Sequence, residues 1–140
     1  MKKMVKTSMF YFAAALIAGV FYREFTKFNQ FSGRTALSLL HTHLFVLGMF
    51  LFLILAIFCS IMPQILESKK MKKFYVLMNI SLPLFVFTLL VRGVAQVLEI
   101  DLSSALNASL SGIAGMTHIL LTISLGLFFS LIFEGLKKVN

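Results

Sequence analysis

The chain has no tryptophan, a single cysteine, two prolines and only five acidic residues among 140. A lone thiol excludes an intrachain disulfide and leaves a structural zinc site without its second sulfur ligand. Cys59 lies in apolar sequence near a segment end and reads as a small packed hydrophobe. No Asp or Glu falls in the apolar stretches that carry the histidines, which disfavours a di-iron carboxylate site. There is no His-Glu-x-x-His run to support a zinc protease, and no Ser-His-Asp arrangement is visible. Low-complexity tracts and long linkers are absent too.

What is present is apolar. Hydrophobic residues make up 59% of the chain, phenylalanine alone numbers 16, and the mean hydropathy is +0.96. A soluble domain of this size is not built that way, so the chain reads as a membrane protein. Its length allows about four spans of about 20 residues each, with no room for a separate soluble domain. The net charge of +8 would point to nucleic acid in a soluble protein. Here the basic residues cluster at segment ends, which points to membrane topology and anionic lipid contact instead. No nucleic-acid partner is expected.

Four segments emerge, at about Thr7 to Tyr22, Thr35 to Met62, Phe74 to Leu98 and Ser109 to Phe133. Each must be helical, because lipid leaves no partner for an open backbone. Pro63 ends the second. The third contains one charge, Arg92. The expected fold is therefore an all-α, four-helix transmembrane bundle forming a single domain. Near the N-terminus, the apolar stretch from Met9 to Phe12 ahead of Ala13-Ala14-Ala15 is too short for a cleaved signal, so this segment is expected to remain as the first helix. Lys2, Lys3, Lys6, Lys69, Lys70, Lys72, Lys73, Lys137 and Lys138 all fall on one side of the membrane. Arg23, Lys27 and Arg34 fall on the other. The excess of positive charge places both termini in the cytoplasm.

All three histidines lie in membrane-length apolar sequence: His41 and His43 in the second segment, His118 in the fourth. Titratable side chains are expensive there and tend to face a bundle interior or a cofactor. His43 lies eight residues past Thr35 and His118 nine past Ser109, about 12 Å down each helix. Arg92 lies six residues from Leu98 in the antiparallel third helix. These residues therefore share the outer half of the membrane. In the third helix Ser81, Thr88, Arg92, Gln96 and Glu99 fall on one stripe. In the fourth, Ser111, Gly115, His118, Thr122 and Gly126 do the same. Small residues on that stripe permit close helix packing, so His118 is expected to point inward. His41 and His43 are about 200° apart around their helix and cannot share one face. A faint echo links Thr42-His43 with Thr117-His118, each preceded one helix earlier by an arginine, Arg23 or Arg92. Parallel repeats would account for it; chance accounts for it equally.

Neutral imidazoles suit haem iron, copper and zinc. Two from facing helices can clamp a haem as axial ligands, and Arg92, Arg23 or Arg34 would suit its anionic propionates. Against this stands the plainer reading, in which each histidine is a core residue bonded to a carbonyl or hydroxyl and Arg92 snorkels to the interface.

The run His41-Thr42-His43-Leu44-Phe45-Val46-Leu47-Gly48-Met49 resembles the H-x-H-L-x-x-L-G segment of small membrane proteins related to subunit I of haem–copper oxidases. The whole chain also resembles an uncharacterised bacterial family of four-span proteins, through Phe21-Tyr22-Arg23-Glu24-Phe25, His41-Thr42-His43, Val91-Arg92-Gly93 and Ser111-Gly112-Ile113-Ala114-Gly115. The second likeness implies the fold and a bacterial cytoplasmic membrane, but no activity. The first covers one helix and implies bis-histidine ligation of haem b, with His43 as one ligand and His118 as the remaining candidate for the other. Subunit I has about twelve helices and further metal ligands, so oxygen reduction is not implied. The leading expectation is a membrane b-type haem protein, for electron transfer or diatomic gas sensing, with His43 and His118 on the metal. His41 is then a neighbouring partner or alternative ligand, and Arg92 or Arg23 sits on a propionate. The alternatives are a haem-free small transporter, channel or metal-handling protein, or an assembly partner of a larger complex. Four helices bury little protein surface, so a homo-oligomer is also expected.

Overall fold

A computed structural model describes residues 1–137; Lys138, counted above among the basic residues, lies outside the described residues. Four helices are long and apolar enough to cross a membrane: α1 (Lys2–Phe28), α2 (Ser38–Ile61), α3 (Lys69–Val97) and α4 (Ser104–Leu136). Together they form an all-helical, four-helix membrane bundle. Hydrogen bonding carries three of the helices past their apolar stretches, into charged or polar turns that hydropathy alone leaves outside. Ser68 and Ser103 cap α3 and α4 by accepting from the backbone N–H groups of Lys70 and Leu106. A 3₁₀ turn, Pro63–Glu67, joins α2 to α3.

One bundle end carries the lysines. At the other, α1 and α3 stop in the same way. The Phe31 N–H reaches back to the Thr26 carbonyl at 2.9 Å, and the Ile100 N–H to that of Ala95 at 2.9 Å. Gln30 and Glu99 take the intervening left-handed conformation, with φ of 53° and 54°. This six-to-one closure satisfies a helix-end carbonyl. Each of the two residues lies seven positions beyond an arginine, Arg23 or Arg92.

Lipid is as apolar as leucine, so packing and interhelical hydrogen bonds hold the helices together. In the basic half, rings pass from helix to helix. Tyr11 of α1 stacks on Phe52 of α2 at 5.9 Å, Phe52 meets Phe74 of α3 at 5.7 Å, and Phe74 meets Phe128 of α4 at 6.0 Å. Such pairs contribute about 0.5–1.5 kcal/mol each beyond their burial. At the opposite end the start of α2 is pinned to α3. The Thr35 hydroxyl donates to the Gly93 carbonyl at 2.9 Å, and the Ala36 N–H donates to Gln96 Oε1 at 2.8 Å. Only glycine permits this approach, since a Cβ on residue 93 would lie 2.6 Å from the Leu37 nitrogen.

The middle of α2, Leu44–Phe50, is wound as a π-helix. Its cause lies on α1. The Tyr11 ring lies against Gly48, where a Cβ would come within 2.5 Å of it, and the Ser8 hydroxyl donates to the Met49 carbonyl at 2.9 Å. The wide turn begins directly after His43, and such turns are frequent at functional sites. Helix α4 packs chiefly against α3, which α2 also meets; the strip of α3 between them is the groove on which two histidines bear.

Candidate functional site: two imidazoles on one groove

Each wall of the groove carries a Thr-His pair with the same local bonding. On α2 the Thr42 hydroxyl and His43 Nδ1 both reach the Leu39 carbonyl, at 2.9 and 2.8 Å. On α4 the Thr117 hydroxyl and His118 Nδ1 both reach the Ala114 carbonyl, at 2.9 and 2.8 Å. A carbonyl only accepts, so each Nδ1 carries the proton and donates it. In the neutral ring of that tautomer Nε2 keeps its lone pair, the form that binds a metal. A backbone carbonyl on the far nitrogen also fixes the ring's orientation, as it does for metal-bound histidines in general.

Both imidazoles meet the same ring. Phe85 of α3 lies edge-on to His43 at 5.0 Å and to His118 at 4.3 Å. The packing of the two Thr-His pairs differs: Thr117 is buried whereas Thr42 is exposed. His43 is half-buried and His118 exposed.

His118 departs from the inward orientation expected of it. A Cβ built on Gly112, Gly115 or Gly126 would meet nothing within 4 Å. The small residues of α4 thus face open space, because its packing surface is the row of Leu110, Thr117, Leu121, Ser124 and Phe128. His118 stands at the edge of that surface, on the rim of the groove.

Arg92 lies two turns along α3 from Phe85, about 10 Å away. It crosses to α4, donating to Ser111 Oγ at 2.9 Å and to Asn107 Oδ1 at 3.5 Å. It therefore lies on the same α3–α4 side as His118 rather than simply extending to the interface. Arg23 is elsewhere, on the surface of α1 beside Glu24 at 3.8 Å. His41 is also apart. It stacks on Tyr22 of α1 at 6.4 Å, and its Nδ1 is buried with no hydrogen-bond partner among the described residues.

No three His, Cys, Asp or Glu side chains come together among the described residues. A zinc or copper ion held by protein ligands alone therefore has no donor set in this region. A macrocycle that brings four equatorial nitrogens needs only two protein ligands, and two are present. Two imidazoles are the donors that a haem would need.

Sequence reasoning missed Phe85, although it falls on the stripe of Ser81, Thr88 and Arg92 at helical spacing. It also missed a polar clamp in the basic half. The Tyr11 hydroxyl donates to Asn79 Oδ1 at 3.0 Å, the Thr7 and Tyr75 hydroxyls meet at 2.8 Å, and Lys3 lies over the Tyr75 ring at 3.8 Å. Tyrosines on two membrane helices were the available signal.

A family model described as a protein of unknown function (DUF2871) matches residues 1–135, and the chain belongs to that family. No curated protein and no solved structure matches it.

Proposed function

Starting from membership of a family without an assigned activity, we propose that the chain is a membrane b-type haem protein that carries electrons. His43 and His118 would hold the haem iron, and Arg92 would serve the haem's carboxylates. The observation that carries this reading is the repeated Thr-His bonding. It ties Nδ1 of two histidines, on two helices that both meet Phe85, to backbone carbonyls and leaves their Nε2 atoms without a hydrogen-bond partner among the described residues. Bound haem supplies a one-electron iron couple. The chain's own residues do the rest. The Leu39 and Ala114 carbonyls hold the ring tautomers, and Arg92 offers a guanidinium fork suited to a carboxylate. Two histidine ligands would suit electron transfer rather than gas binding.

The lysine-rich end is read as cytoplasmic by the positive-inside rule. Both termini are then inside and the groove lies in the outer half of a bacterial cytoplasmic membrane.

The histidines separate the outcomes. His43→Ala and His118→Ala should each abolish or convert a low-spin haem spectrum. His41→Ala, whose ring faces α1, should retain it. A spectrum lost with His41 and kept without His43 would move the α2 ligand two residues. A protein that binds no haem would sink the reading in favour of a haem-free polar pathway or an assembly role.

A further inference from the structure

At the basic end a second groove runs between α3 and α4. Its walls are Val76, Leu77 and Ile80 of α3 with Ile123 and Leu127 of α4. Lys72 and Lys73 stand at its mouth, and it encloses about 690 Å³. From Lys72 to Ile80 the groove extends eight residues along α3, about 12 Å, a span suited to an acyl chain. In a bilayer such an apolar groove is occupied by lipid, so the headgroup is what remains to be decided.

The charges decide it. Lys70, on the same turn, is satisfied within the protein by Glu134 at 3.3 Å and Ser130 at 2.8 Å. Lys3 lies over the Tyr75 ring. Lys72 and Lys73 are exposed, and neither has an acidic partner among the described residues. Two ammonium groups on flexible stems at the interface accept a lipid phosphate well. A zwitterionic headgroup would bring its own cation against them. We propose that this groove is a binding site for one anionic glycerophospholipid, its phosphate on Lys72 and Lys73 and one acyl chain along Val76, Ile80, Ile123 and Leu127. The site is independent of the haem reading.

The absence of tryptophan makes the test direct. Ile80→Trp places a single indole in the 140-residue chain, at the deep end of the groove. The protein is reconstituted into phosphatidylcholine vesicles containing phosphatidylglycerol or phosphatidylcholine with brominated acyl chains, which quench a neighbouring indole. A lysine near the headgroups favours an anionic lipid by about fivefold, so brominated phosphatidylglycerol should be preferred at least about fivefold. Adding K72Q and K73Q should bring the preference close to one. Adding K69Q and K137Q removes the same charge from the same end and should leave it in place. Phe129→Trp, on the other flank of α4, should show little preference. Three results would overturn the proposal: no preference at Ile80→Trp, an equal fall in both lysine pairs, or an equal preference at Phe129→Trp. The last two would indicate general charge attraction in place of a site. Monodisperse gel filtration of each variant establishes that it is folded.

Discussion

Gly93→Ala tests the joint that brings α2 to α3. The new methyl group would lie 2.6 Å from the Leu37 nitrogen, 2.7 Å from its Cγ and 2.8 Å from its Cδ2. The nitrogen is backbone and cannot turn aside. Moving it strains the bonds from Thr35 to the Gly93 carbonyl and from the Ala36 N–H to Gln96. Overpacking of this kind costs about 1–3 kcal/mol, and each weakened hydrogen bond about 0.5–1.5 kcal/mol more. Alanine's better helix propensity returns about 1 kcal/mol. The net expectation is destabilisation by about 1–5 kcal/mol. Gly112→Ala is the reference, since its methyl group would meet nothing within 4 Å and only the propensity gain remains. Thermal unfolding of the detergent-solubilised variants should rank Gly112→Ala at or above the parent and Gly93→Ala clearly below it. Equal stability of the two would refute the close contact, and with it the account of how His43 is set beside Phe85.

Arg92→Leu should weaken haem binding by about 10- to 100-fold, the worth of about 1.5–3 kcal/mol for hydrogen bonds to a charged group, while the chain still inserts. Arg92→Lys should fall between, having the charge without the fork; haem titration into the apoprotein measures both, and unchanged affinity would retire the propionate assignment. A reporter fused after Asn140 should report the cytoplasm, since nine basic residues lie on that side against three on the other. A reporter active on the far side would reverse the orientation.

The helices were legible because lipid forces every apolar stretch of this length to close its own hydrogen bonds. Depth was legible as well, because helical rise is constant: His43 and His118 were counted to one level, and both meet Phe85. The divergence of His41 from His43 also follows from helical rotation alone; one ring meets Tyr22 of α1 and the other Phe85 of α3. What depended on partners distant in sequence was not legible. The π-helical turn exists because Tyr11 lies on Gly48 and Ser8 bonds to Met49. The left-handed Gln30 and Glu99 carry no glycine to announce them. The glycines of α4 promised close packing, yet α4 packs through a different row and leaves them open. The Thr-His echo was visible as letters, and its meaning came only with the shared carbonyls at Leu39 and Ala114.

The central claim is tested most directly by the visible absorption spectrum of the detergent-purified full-length protein, oxidised and then reduced, after expression in haem-replete cells. Bis-imidazole ligation predicts a sharp Soret band with the split visible bands of low-spin reduced haem b, at one haem per chain, unchanged by carbon monoxide. A colourless protein that stays colourless when haem is added would contradict the account outright. A spectrum that shifts promptly with carbon monoxide would contradict the assignment of both His43 and His118 to the iron.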